Sequence, residues 1–148
     1  MIRTTIVFDV KVSEIKSSDL KKIIKLILLD HDVKNTDINI IFVDENFIID
    51  LNQRFFYKDN ATDVISFPLN DPEEPCLEGE VYVCVDVAKN QAGDYQVSLQ
   101  NELLRLTIHG ILHLLEYDDL TEEAKAVMSE KEDYYLAIFF EKINPTAN

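Results

Sequence analysis

Apolar residues recur along this chain at two spacings, and the switches between them outline alternating strands and helices. Thr4 to Val10 predicts an opening strand. Leu20, Ile23, Ile24, Ile27 and Leu28 then fall at helical spacing and mark the buried stripe of a helix capped by Ser17 or Ser18. Ile38 to Val43 is a short apolar run, as expected of a strand buried on both faces. Asp44 caps a helix whose Phe47, Leu51 and Phe55 are expected to look inward. Thr62 to Phe67 predicts another strand, ended by Pro68, and Asn70 to Glu78, with Pro72 and Pro75, predicts a surface loop. Gly79 opens a strand over Glu80 to Asp86, in which Val81, Val83 and Val85 alternate with other side chains. A helix around Val87 to Asp94 follows, and Ser98 starts the next. Thr121, followed by Glu122 and Glu123 where the helix dipole favours acids, starts a long last helix to about Lys142. This order predicts a single layered α+β domain over residues 1–148, a small mixed sheet packed with about five helices.

The helix after Ser98 carries the candidate chemistry. Its segment from Leu103 to Leu115 reads LLRLTIHGILHLL, with apolar side chains all round, so it is expected to be buried on most sides. His109 and His113 are four residues apart and project from one face. Two adjacent imidazoles in such a helix are costly unless their nitrogens find partners. Hydrogen bonds to backbone or water are one solution. A metal ion is the other, since helical zinc sites use this i, i+4 pair. A third ligand would come from Glu116-Tyr117-Asp118-Asp119, where the chain reverses past the helix end and offers three carboxylates. Gly110 costs about 1 kcal/mol relative to alanine within a helix, so either close packing or an approaching substrate has to account for it. Glu102, two turns before His109, either orients a ligand from behind or is a solvated acid paired with Arg105.

Composition narrows the picture. The 148 residues are 47% hydrophobic and 28% charged, those of an ordinary globular protein. Cys76 and Cys84 are too few for a disulfide scaffold and match no zinc spacing, so reduced thiols are expected. The apolar stretch Ile6 to Phe8 is too short for a signal peptide or membrane span, which points to the cytoplasm. Net charge is −14, and its excess lies wholly after Lys58. Such a balance argues against sequence-independent nucleic-acid binding through phosphate neutralisation. Arg54, Lys58, Lys89 and Arg105 are the candidates for any phosphate contact.

Three segments together resemble a known family. HGILHLLEYDD resembles the HGxLHLxGYDH signature of the YbeY family of metal-dependent endoribonucleases. Upstream, LNQRFF followed by KDNATDVISFP resembles that family's LNxxYRxKDxPTDVLSFP, the segment in which Thr62, Asp63, Ser66 and Phe67 line either a sheet or a cleft. LEGEVYVCVD and the helix bearing Asn90, Gln91 and Ala92 resemble its LGDIxIS strand and the helix after it. The matches are collinear from Leu51 to Asp119, about half the chain. The resemblance implies a single-strand-specific endoribonuclease acting in ribosomal RNA maturation and ribosome quality control, by metal-activated hydrolysis or transesterification. Its partners would be ribosomal RNA and components of the small ribosomal subunit.

By position, His109, His113 and Asp119 match the family's metal ligands, and zinc (Zn2+) is the implied ion. The sequence departs from the pattern at three places. Asp119 replaces the usual third histidine, which lowers the net positive charge of the site and shifts preference towards manganese (Mn2+) or iron (Fe2+). Glu116 stands where the family has the glycine that turns the chain off the helix. Phe56 stands where the family has an arginine. With glycine after the first histidine, the general base of zinc peptidases is missing. The alternative is a ribosome-associated binding protein whose metal is structural, and a closed site of four protein ligands would mark it. An iron oxygenase fits the ligand set but not the flanking motifs.

Overall fold

Residues 1–71 and 73–145 are described by the computed structural model, so Pro72 of the predicted loop lies outside the described residues. Strand β1 (Ile2–Phe8) leads through helix α1 (Ser17–Asp30) to β2 (Thr36–Val43). Helix α2 (Glu45–Phe56), β3 (Val64–Pro68), β4 (Leu77–Cys84) and α3 (Val85–Tyr95) follow. The chain ends in α4 (Leu99–Leu114) and α5 (Glu122–Ile138), the latter running into a π-helical turn, Phe139–Ile143. The sheet order is β1-β2-β4-β3, with β3 antiparallel to β4 and the other pairs parallel. Parallel pairing needs a crossover from one end of the sheet to the other, and α1 and α2 lie in the two connections that make it. The fold is thus α+β, with a mixed sheet and, among the described residues, five α-helices.

Register decides which face each strand residue meets. Ile38, Ile40 and Phe42 sit beside Gly79, Val81 and Val83, and the main core joins them to α1, α4 and α5. Val43, Ile65 and Cys84 face the other way and pack with Ile48 and Leu51 of α2. That second layer lies over β3 and β4 and reaches β2 near its end, at Ile41 and Val43. Asn39 and Ile41 are therefore half-buried, which corrects the expectation that β2 is buried on both faces. On β1 exposed Arg3, Thr5 and Val7 alternate with half-buried neighbours for the same reason.

Asp44, Ser98 and Thr121 act as caps, each side chain accepting from the backbone N–H three residues on at 2.8 to 3.0 Å. Helix α1 differs: Lys16 is its cap, without a side-chain bond, and both serines fall inside the first turn. In α2 the inward residues are Ile48, Leu51 and Asn52, at i, i+3 and i+4. Phe47 and Phe55 flank that stripe and are 39% and 58% exposed, resting on the rings of Tyr82 and Phe67. Strand β4 starts at Leu77, earlier than predicted, because pairing with Thr36 to Val43 extends it.

Helix α4 is the hub of the main core, and two glycines set its distance from β4. A Cβ on Gly110 would stand 2.3 Å from Val81 Cγ1, and one on Gly79 would stand 2.8 Å from Leu114. Each element thus receives a side chain of the other where its own is missing. Close packing, not substrate, accounts for Gly110. The Ser66 hydroxyl adds a hydrogen bond to the Gly110 carbonyl at 2.9 Å, tying β3 to the same point. The helix that carries both histidines is thereby fixed against the sheet.

Candidate metal centre

His109 and His113 emerge from the last turns of α4, and their outer nitrogens are both committed. His109 Nδ1 lies 2.7 Å from Glu132 Oε2, and His113 Nδ1 lies 2.9 Å from the Tyr117 carbonyl. Carboxylate and carbonyl oxygens accept, so each Nδ1 carries the hydrogen and each Nε2 keeps a lone pair. The two Nε2 atoms approach to 2.9 Å, and Asp119 Oδ2 lies 3.6 and 3.7 Å from them. Three lone pairs converging this closely repel one another unless a cation sits among them. A triangle with these sides has a circumscribed radius of about 2.0 Å, the bond length zinc makes with imidazole nitrogen and carboxylate oxygen. The donor set fits a divalent metal ion.

A turn brings Asp119 back to the histidines. Glu116 N–H bonds the His113 carbonyl and Tyr117 N–H bonds the Leu112 carbonyl, both at 3.0 Å. This is a Schellman ending, with Glu116 in the left-handed conformation at φ 75°. His31, just past the C-terminus of α1, braces the turn from outside. Its Nδ1 donates to the Ile27 carbonyl at 2.7 Å, so its Nε2 accepts from the Tyr117 hydroxyl at 2.8 Å.

Behind His109 the support is ionic. Arg105 donates to both oxygens of fully buried Glu102, at 2.9 and 2.6 Å, and to Glu132 Oε1 at 3.1 Å. The hydrogen bonds it donates to Glu102 hold the guanidinium protonated well above its usual range. Two carboxylates share this one guanidinium, and the second oxygen of Glu132 is left to meet His109 and orient its ring. Glu102 itself does not touch a histidine; it acts through Arg105.

The site is open in front. His109, His113 and Asp119 side chains are 18%, 29% and 42% exposed. One cleft of about 910 Å³ includes His31, Lys34, Asn70, Leu77 and Glu116; a second of about 410 Å³ includes Asn52, Phe56, Lys58, Thr62 and Ser66. Both are lined by Pro68 and His113, so they meet beside the cluster.

With this geometry, likeness to known proteins becomes specific. The profile of the family described as Endoribonuclease YbeY matches residues 6–139. The chain belongs to the endoribonuclease YbeY family. Its relatives include the Endoribonuclease YbeY of Chloroherpeton thalassium, 35% identical over 127 residues, which are 86% of this chain and 89% of the relative. That of Desulforamulus reducens is 42% identical over 106 residues, covering 67% and 69%. A solution structure of a Thermotoga maritima protein superposes with a TM-score of 0.66 at 30% identity, covering 97% of this chain and 94% of that one.

The remaining candidates separate around this YbeY-type site. Lys58 lines the smaller cleft with His113. Arg54 is exposed and paired with Asp50 at 3.1 Å, and Lys89 is exposed on α3. Arg105 has its guanidinium bonded to two carboxylates behind His109, and its side chain is 26% exposed. The second motif is partly structural: buried Asn52 donates to the Asn60 carbonyl and to Thr62 Oγ1, while Asp63 accepts from Val64 N–H and from Gln91. Sequence reasoning missed Glu132. The signal was there, because Met128, Glu132, Tyr135, Leu136 and Phe139 form one buried helical stripe with an acid in its middle.

Proposed function

We infer that this chain is a metal-dependent, single-strand-specific endoribonuclease acting in the cytoplasm in ribosomal RNA maturation and ribosome quality control, with ribosomal RNA and small-subunit components as partners. The observation that carries it is the convergence of His109 Nε2, His113 Nε2 and Asp119 Oδ2 on one point, within a chain of the YbeY family. These three groups would hold one divalent ion, zinc first, with manganese or iron also suited to the carboxylate. Such an ion, when bound, lowers the pKa of water and polarises a phosphoryl oxygen.

The chain's own residues supply the rest. Glu132 and the Tyr117 carbonyl hold the two imidazoles in the tautomer that presents Nε2. The charge of Asp119 leaves a divalent site with one net positive charge, which weakens its pull on a phosphoryl oxygen relative to three histidines. Lys58, in the cleft beside His113, is placed to meet a phosphate of the strand. Three donor groups and partial exposure, among the described residues, favour an open site over a closed structural one. Metal-loaded protein should cleave single-stranded RNA, and His113→Ala should abolish the cleavage. Equal activity in the two proteins would reject the assignment.

A further inference from the structure

Four rings run in contact across the outer face of β3 and β4. Phe47 stacks on Tyr82 with centroids 5.8 Å apart, Tyr82 meets Phe67 edgewise at 5.8 Å, and Phe67 stacks against Phe56 at 6.0 Å and 21°. Phe55 adds an edge contact to Phe67 at 5.3 Å. At the end nearest the metal centre the row is left open, with Phe56 44% exposed and Phe55 58%. Phe56 also lines the cleft that contains Lys58, Ser66 and His113. Among the described residues Phe56 stacks on one ring, Phe67, and faces a cleft that ends at the cluster, so it is an unfinished stack.

We propose that Phe56 is a base-stacking platform that seats an unpaired base of the RNA strand beside the metal centre. The inference rests on the endoribonuclease function above and names how that site holds its substrate. Single-strand proteins gain affinity from stacking bases on aromatic rings, and every base offers a π-face. Charge points the same way. Net charge is −14, and among the described residues Lys58 is the one lysine or arginine lining this cleft, so phosphate neutralisation contributes little and the apolar rings must contribute more. Only a flipped or single-stranded base can lie flat on Phe56, so the platform also discriminates against duplex. A neighbouring Lys58 then meets the backbone of the seated nucleotide.

The test uses the full metal-loaded protein and a labelled ten-nucleotide 2′-O-methyl oligo(A), checked for intactness on a gel, with binding read by fluorescence anisotropy. Phe56→Ala should weaken binding by about fivefold to over a hundredfold, the range for one base stacked on an aromatic ring. Phe56→Trp should restore it, and the ratio between wild type and Phe56→Ala should be the same at low and high salt. Phe47→Ala, which removes a ring from the far end of the same row, should bind as wild type does. Equal affinity of wild type and Phe56→Ala overturns the platform alone, provided His113→Ala still abolishes cleavage. Weak binding by Phe56→Trp as well as Phe56→Ala overturns it, since the ring would then matter only for packing on Phe67. Dimerisation of wild type that is lost in Phe56→Ala without a change in RNA affinity assigns the patch to a second copy instead. Failure of the wild type to bind or cleave single-stranded RNA overturns platform and nuclease together.

Discussion

The two histidines of the site are one helical turn apart and yet are held by different means. His109 leans on a side chain of another helix: Glu132 from α5, itself fixed by Arg105 and buried Glu102. His113 leans on backbone: the Tyr117 carbonyl, placed by a Schellman turn four residues on and braced by His31. The first support is long-range, charged and buried; the second is local, neutral and half-exposed. A side-chain support can be lost by one substitution, whereas a carbonyl persists under any residue that keeps the turn. Asymmetric sensitivity of the two ligands follows from this difference.

Removing the charged support should have the largest effect. Glu132→Ala leaves Nδ1 of His109 without its acceptor, and metal affinity should fall by roughly 10- to 100-fold, as for other carboxylate–histidine–metal arrangements. Competition with a chelating dye would measure it. Glu132→Gln keeps an acceptor without the charge and should fall between. Equal affinity in all three proteins would break the contrast between the two supports.

Gly110 lies between the histidines and against Val81, so it tests what both supports share. Alanine there gains about 1 kcal/mol of helix propensity but meets Val81 Cγ1, and overpacking costs about 1–3 kcal/mol. A net loss of up to about 2 kcal/mol is expected from urea unfolding. A gain would mean that the α4–β4 contact yields freely.

Glu116→Gly sharpens the backbone side and should have the smallest effect, of opposite sign. Relief of the left-handed conformation should stabilise the protein by about 1 kcal/mol. Metal affinity should be unchanged, because the same two turn hydrogen bonds place the Tyr117 carbonyl. Weaker metal binding in this variant would show that the glutamate side chain, not the turn, matters to the site.

The two supports also differ in how far the sequence announces them. Spacing alone marks His109 and His113 as a pair, and the reversal after Leu115 brings the carboxylate of Asp119 within 3.7 Å of both. Side-chain caps at Asp44, Ser98 and Thr121 were legible because their geometry is local. Glu132 was hidden by distance: it lies 23 residues from His109, and only tertiary packing of α5 on α4 joins them. The Tyr117 carbonyl was hidden because a backbone acceptor leaves no mark on residue type. Phe47 and Phe55 misled because large apolar side chains were expected inward, while the stripe of Ile48, Leu51 and Asn52 set the orientation of α2. The sheet order was equally out of reach, since pairing of β2 with β4 depends on contacts remote in sequence.

The central claim is that two imidazoles and Asp119 grip one ion, and metal content tests it most directly. Wild type and Asp119→Ala should be dialysed together against trace zinc and analysed by plasma mass spectrometry. The wild type should retain about one ion per chain and the variant well under half, with its circular dichroism unchanged. Stoichiometric metal in the variant, or none in the wild type, would contradict the account.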